Sequence, residues 1–159
     1  MKNGYARHIA QGALIAAMYV VLTEISALFG LSGGAIQLRL SEALTVLPLW
    51  FSSAVPGLFI GCLISNLITG CAIWDVVFGS LATLVAAIVT SKMKRFKYLA
   101  ALPPIIANTL VIPPIIAYVY GSDMLLPMIY FTVFLGELLS CGVLGTGLIL
   151  LIQKRKNEN

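Results

Sequence analysis

Charge is scarce in this sequence: 10% of its 159 residues are Asp, Glu, Lys or Arg, against about 25% in an average soluble domain. That excludes an ordinary water-soluble globule. Histidine occurs once and cysteine three times. Cys62, Cys71 and Cys141 lie inside apolar stretches without CxxC spacing, which argues against a disulfide framework or a structural zinc site. No GxxxxGK[ST], no HExxH and no aspartate-rich metal-diphosphate motif is present. The chain therefore carries no ATPase motif of its own and no visible machinery of an enzyme. At this length one domain, residues 1–159, is expected, without room for a membrane bundle plus a sizeable soluble catalytic domain.

Apolar residues are what the sequence has in plenty, 60% of the chain, with a mean hydropathy of +1.00. Apolar segments run over 9–31, 43–52, 54–68, 73–90, 98–120 and 126–152, and several reach the roughly 20 residues needed to cross a bilayer. The basic start followed by residues 9–31 looks like a signal peptide, but the apolar run exceeds the roughly 7 to 15 residues of an h-region. A retained first span is expected. The net charge of +4 resides between apolar runs and not on a basic face, so it marks topology and not nucleic-acid binding.

Parity settles the span count at this stage. With the N-terminus inside, six spans place nine of the ten basic residues on the cytoplasmic side, Arg39 being the exception, as the positive-inside rule favours. Five spans would put the 92–97 cluster outside. The sequence thus predicts an all-α integral membrane protein of six transmembrane helices, the second and third short, with both termini cytoplasmic. The longest outer connection, 30–40, alternates apolar and polar residues at 36–41, which suits an extended segment over the bundle mouth with Gly33-Gly34 as its hinge. Ser41 is the expected N-cap of the next helix, with Glu42 in its first turn.

In this topology Glu24, Glu42, Asn66, Asp75 and Glu137 fall in the outer half of the bundle and Asn108 near the middle of helix 5. Ionisable groups within spans cost roughly 2.5–3.5 kcal/mol at the centre for Asp, and they usually face a cavity or a partner. The pattern predicts a pocket open to the outside. Plainer roles stand beside that one. Glu24, Asp75 and Asp123 can be solvated at the interface; Glu137 can be a buried protonated acid or the partner of Arg39. Arg39 can snorkel to headgroups, Asn66 and Asn108 can join helices, and Trp74 and Tyr118 can be belt anchors instead of stacking platforms. Pro113 and Pro114 should kink helix 5 beside Asn108. Gly12 and Ala16, and Ala13 and Ala17, are small-xxx-small pairs permitting close helix approach.

The blocks Gly34-Ala35-Ile36-Gln37-Leu38-Arg39-Leu40-Ser41-Glu42-Ala43-Leu44-Thr45-Val46-Leu47-Pro48, Pro56-Gly57-Leu58-Phe59-Ile60-Gly61-Cys62 and Asp75-Val76-Val77-Phe78-Gly79-Ser80-Leu81-Ala82-Thr83-Leu84 resemble the QueT family of queuosine-precursor transporters. These are substrate-binding (S) components of energy-coupling factor (ECF) transporters, and the resemblance spans nearly the whole chain. It implies a subunit in a bacterial plasma membrane that captures a 7-deazaguanine, 7-aminomethyl-7-deazaguanine or queuine. It also implies a membrane-embedded T subunit and two cytoplasmic ATPases, whose hydrolysis of ATP topples the S component and carries the pocket inward. The AxxxA motif of S components, which contacts the T subunit, is matched by Ala13 and Ala17. No cofactor is implied.

The residue types suit such a ligand. A carboxylate accepts two hydrogen bonds from a guanine-like N1–H and amine, and an aminomethyl ammonium calls for a second acid. Glu42, Asp75 and Glu137 offer both roles; Asn66, Asn108 or Arg39 offers a donor to the ring oxygen, and Trp74 or Tyr118 a stacking face. Which acid meets which edge stays open at this point. The competing readings are an S component for another vitamin such as riboflavin or thiamine, a self-contained secondary carrier, and a small membrane enzyme.

Overall fold

The computed structural model describes residues 2–31 and 38–158, and the described part consists of helices joined by turns and short connections, with no strand. The expected hinge at Gly33-Gly34 and the alternation at Ile36 and Gln37 lie outside the described residues. Helix α1 covers Lys2–Leu28. A 3-10 helix, Leu40–Leu49, follows, then α2 (Ala54–Ile68) and α3 (Ile73–Lys92). A short 3-10 segment, Lys94–Leu99, leads to α4 (Leu102–Tyr118). The last helix is unbroken from Leu126 to Glu158: α5 (Leu126–Glu137), a π-helical stretch, Leu138–Gly145, and α6 (Thr146–Glu158).

Three helices, Gly4–Leu28, Ile73–Lys92 and Leu126–Glu158, are long and apolar enough to cross a membrane, and Leu40–Leu49, Ala54–Ile68 and Leu102–Tyr118 are shorter apolar helices. Leu14, Val21, Ile60, Phe78, Val85, Phe131 and Leu151 face outward, while Thr23, Ser26, Glu42, Asn66, Asp75, Thr83, Asn108 and Glu137 are buried. An apolar exterior around a polar interior is the arrangement of a helical bundle in lipid. Several hydroxyls within helices bond back one turn, as Thr23 to the Tyr19 carbonyl and Thr83 to the Gly79 carbonyl do, which satisfies those donors at depth.

Residues 43–52 were expected as a short α-helix capped by Ser41. The helix instead starts at Leu40 with 3-10 geometry, Arg39 holds the cap position in an extended conformation, and no side chain caps it. The Ser41 hydroxyl is drawn elsewhere, bonded to Thr23 Oγ1 at 2.8 Å, where it is the donor because the one Thr23 proton goes to the Tyr19 carbonyl. The Leu40 amide is satisfied by Ser26 Oγ at 2.9 Å. These two contacts tie the entry of the 3-10 helix to the end of α1. At about 2 Å rise per residue, 3-10 geometry stretches a given run further than an α-helix does. Pro113 and Pro114 lie inside α4, which continues past them to Tyr118.

Small residues bring α1 and α2 together. A Cβ at Gly57 would stand 2.6 Å from the Gly12 carbonyl oxygen, and one at Gly61 would stand 2.8 Å from Tyr19 Cβ and 3.0 Å from the Ala16 carbonyl. Gly12 and Ala16 are thus spent on packing within the bundle, whereas Ala13 and Ala17 are exposed one position further round α1. Beneath this contact Ile15, Tyr19, Leu44, Leu47, Ala54, Leu58, Cys62 and Ala87 form one buried apolar cluster. Gly57→Ala is expected to destabilise the detergent-solubilised protein by about 1–3 kcal/mol, because backbone must shift to admit the methyl. Gly147→Ala, where nothing lies within 4 Å, should not lower the melting temperature, and the pair of thermal melts checks the contrast.

Candidate functional site

Five elements supply the wall of a narrow internal cavity. Arg39 and Glu42 come from the start of the 3-10 helix, Cys62 from α2, Gly79 and Thr83 from α3, Asn108 and Ile112 from α4, and Val133 and Glu137 from α5. The cavity volume is about 20 Å³, room for little more than one water molecule. The helices that position the acids are the irregular ones. Glu42 sits on the first turn of the 3-10 helix, and Glu137 is the last α-helical residue before the π stretch. The two irregular segments pack against one another. A Cβ at Gly145 would stand 3.1 Å from Val46 Cγ1, so a side chain there would push them apart.

Glu42 and Glu137 are 2% and 8% exposed. With the Cys141 thiol, they bring three candidate ligand atoms within 4.8 Å of one another. Tyr19 Oη donates to Glu42 Oε1. Asn108 Nδ2 donates to Glu137 Oε1 at 3.0 Å, and Cys141 Sγ donates to Glu137 Oε2 at 3.3 Å. Thr45 Oγ1 donates to the Glu42 carbonyl at 2.6 Å, and the Cys141 thiol, 3.5 Å from the same carbonyl, has the nearer acceptor in Glu137 Oε2. Glu42 Oε2 is buried and has no hydrogen-bond partner.

A second cluster adjoins the first. Arg39 Nη1 donates to Asn66 Oδ1 at 3.3 Å, Asn66 Nδ2 reaches the Asp75 carbonyl at 3.4 Å, and Tyr120 Oη donates to Asp75 Oδ2 at 3.2 Å while accepting from the Ala72 amide at 2.9 Å. Asp75 Oδ1 is buried and unpartnered. It lies 3.3 Å from where a Cβ of Gly79 would be, so Asp75 stands directly behind Gly79, which lines the cavity. The Arg39 guanidinium lies in the field of both Asp75 and Glu42. One cation stands against three acids, so the group is negative overall whenever two or more of the acids are ionised.

Of the sequence-predicted residues, the structure brings together Arg39, Glu42, Asn66, Asp75, Asn108 and Glu137. It places Trp74 and Tyr118 apart from them. Trp74 is 55% exposed and stacks on Phe78 with centroids 5.9 Å apart, and Tyr118 is 81% exposed. Tyr120, two residues on, is the tyrosine that reaches Asp75. Glu24 is half-buried and lies outside the cavity wall. Ala13 and Ala17 line a separate apolar surface groove between α1 and α2 with Ile9, Val20, Val21, Ile60 and Ile64.

Sequence reasoning missed Tyr19, Cys62, Thr83 and Cys141. A signal existed for two of them: Ile15, Tyr19, Thr23 and Ser26 fall on one helix face, and Cys141 stands four residues after Glu137. Tyr19→Phe keeps the ring packing and removes a donor from a buried carboxylate. It is expected to cost about 1–3 kcal/mol of stability, read as a lowered unfolding midpoint in detergent.

Comparison with known proteins agrees in extent with this architecture. The family description "QueT transporter" matches residues 9–154, from α1 to the last turns of α6. The queuosine precursor transporter QueT of Lactococcus lactis subsp. cremoris (strain MG1363) is 38% identical over 85 residues, which are 54% of this chain and 50% of that relative. The match thus spans about half the length of the curated relative. No solved structure matches. With the family pattern running through every helix that lines the cavity, the chain belongs to the QueT transporter family.

Proposed function

We propose that this protein captures a 7-deazaguanine precursor of queuosine in the cavity between the 3-10 helix and α2–α5. The observation that carries the reading is the set of polar groups gathered there: two buried acids with one unpartnered oxygen, an arginine and an amide on the cavity wall, and behind Gly79 the Asp75 carboxylate with one oxygen unpartnered, all inside an apolar bundle. A purine-like ring with donors, an acceptor and a cationic arm matches such a set. A neutral flavin-like ring would leave the carboxylates without counterpart. The queuosine-precursor label of the 38% identical relative supports the same ligand class. In the described conformation the cavity is tight, so the ring enters when the wall opens; the segment 38–40, tied to α1 through Ser26, borders the Arg39 side of that wall.

The protein is read further as the substrate-capture component of an ECF-type importer in a bacterial plasma membrane. It has six spans and both termini cytoplasmic, and release inside is driven by partner ATPases through a membrane-embedded T subunit. The positive-inside count supports the topology. The α1 surface supports the docking role: Gly12 and Ala16 are consumed by the contact with α2, yet Ala13 and Ala17 remain outward in an apolar groove. Small exposed residues on a lipid-facing helix suit a second helix laid close against it.

Equilibrium calorimetry on the purified chain in detergent should show saturable binding of 7-aminomethyl-7-deazaguanine, with guanine and riboflavin far weaker; absence of deazaguanine binding to folded protein would refute the ligand reading. Ala13→Leu and Ala17→Leu are each expected to spare ligand binding and to reduce co-purification of the T subunit. Unchanged co-purification by both would remove the docking role. Accumulation by the chain alone in liposomes, driven by an ion gradient, would refute dependence on ATPase partners.

A further inference from the structure

The hydrogen-bond polarity of the cavity divides it into two parts with different demands. Around Glu42 and Glu137 the protein groups that reach the carboxylate oxygens are all donors: the Tyr19 hydroxyl on Glu42 Oε1, the Asn108 amide on Glu137 Oε1 and the Cys141 thiol on Glu137 Oε2. Every carboxylate oxygen of the pair has a donor except Glu42 Oε2, which is buried without one. Two adjacent acids in an apolar interior repel each other when ionised, and a positive charge beside them relieves both at once. A single open oxygen cannot grip the flat, two-point edge of a guanine, which needs two free oxygens side by side. It can take one N–H of a compact ammonium.

The adjoining wall has the opposite character. There Asp75, whose buried Oδ1 has no partner, is joined to Arg39 through Asn66, which accepts from Arg39 Nη1 at 3.3 Å and donates to the Asp75 carbonyl at 3.4 Å. An acceptor and a donor linked in this way suit the neutral N–H and C=O edge of a lactam ring on the side of the cavity lined by Arg39 and Gly79.

We propose that Glu42 and Glu137 form a seat for the cationic arm of the ligand, separate from the Arg39, Asn66 and Asp75 group that faces the neutral ring edge. This assignment rests on the deazaguanine reading and adds a selectivity to it: the protein accepts 7-deazaguanines that carry an ammonium on the arm and discriminates against those with a neutral arm. The geometry gives each acid its share. Glu42 Oε2 accepts directly from the ammonium, and Glu137, already held by Asn108 and Cys141, supplies the second negative charge next to it.

The test compares two probes that differ only in the arm, 7-aminomethyl-7-deazaguanine and 7-cyano-7-deazaguanine, by calorimetry on the full chain in detergent. The wild type should bind the aminomethyl compound about tenfold or more tightly than the nitrile, as a charge-assisted contact would give. Glu137→Gln should erase most of that ratio by weakening the aminomethyl compound while leaving the nitrile within about threefold of its wild-type affinity. Glu42→Gln serves as the second variant and should erase the ratio in the same way. Chelator should change neither affinity. Equal binding of the two probes by the wild type, or equal weakening of both in Glu137→Gln and Glu42→Gln, would overturn the seat and leave the deazaguanine reading standing. Loss of aminomethyl binding on chelation would overturn it by making a metal ion the cation held there. Binding of neither probe by folded wild-type protein would overturn the deazaguanine reading and the seat with it.

Discussion

Burying Glu42 and Glu137 next to one another is the constraint to which the surrounding structure answers. An ion moved out of water costs several kcal/mol even after relaxation, and a like-charged neighbour adds to that cost. The bundle offsets it with donors drawn from separate elements: Tyr19 on α1, Asn108 on α4 and Cys141 on the π stretch. Each of those donors is itself buried, so each depends on the packing of its own helix. Position and charge in the cavity are therefore coupled to the contacts between helices, including the close approach of α1 and α2 at Gly57 and Gly61.

Regular helices alone do not produce this arrangement here. Leu40–Leu49 is wound as a 3-10 helix over ten residues, although runs beyond three or four residues are uncommon. The stretch Leu138–Gly145 is π-helical, a rare geometry frequently found at functional sites. One is tighter than an α-helix and the other wider. They face each other across the centre of the bundle, and the acids sit at their starts. Tyr19 adds a further link, since it carries a hydrogen bond to Glu42 on one side and packs at Gly61 on the other, on the helix whose outward face presents Ala13 and Ala17. A change in the state of Glu42 is thus felt on α1 within a single side chain.

The helical class, the apolar exterior and the positions of α2, α3 and the last helix were legible from hydropathy alone, because length and composition determine which segments suit lipid. The gathering of Arg39, Glu42, Asn66, Asp75, Asn108 and Glu137 was legible for the same reason: polar groups in apolar helices turn inward. What hydropathy could not supply was helix type. Ser41 looks like an N-cap by residue preference, but Thr23 Oγ1 competes for its hydroxyl and Arg39 takes the cap position. Nor does composition say which aromatic faces inward. Trp74 and Tyr118 resembled stacking platforms by depth, yet helical phase turns them outward and gives the contact with Asp75 to Tyr120. Cys141 and Tyr19 were hidden by their apolar character, since each shows its polar atom only through a partner distant in sequence.

Whether the acid pair and the arginine-lined wall hold one ligand between them is decided by a structure of the protein with 7-aminomethyl-7-deazaguanine bound. The expected result is the ammonium within hydrogen-bonding distance of Glu42 Oε2 and beside Glu137, with the ring edge on Arg39 and Asp75. A ligand found in the α1 and α2 groove, or one that leaves Glu42 Oε2 unpartnered, would contradict it.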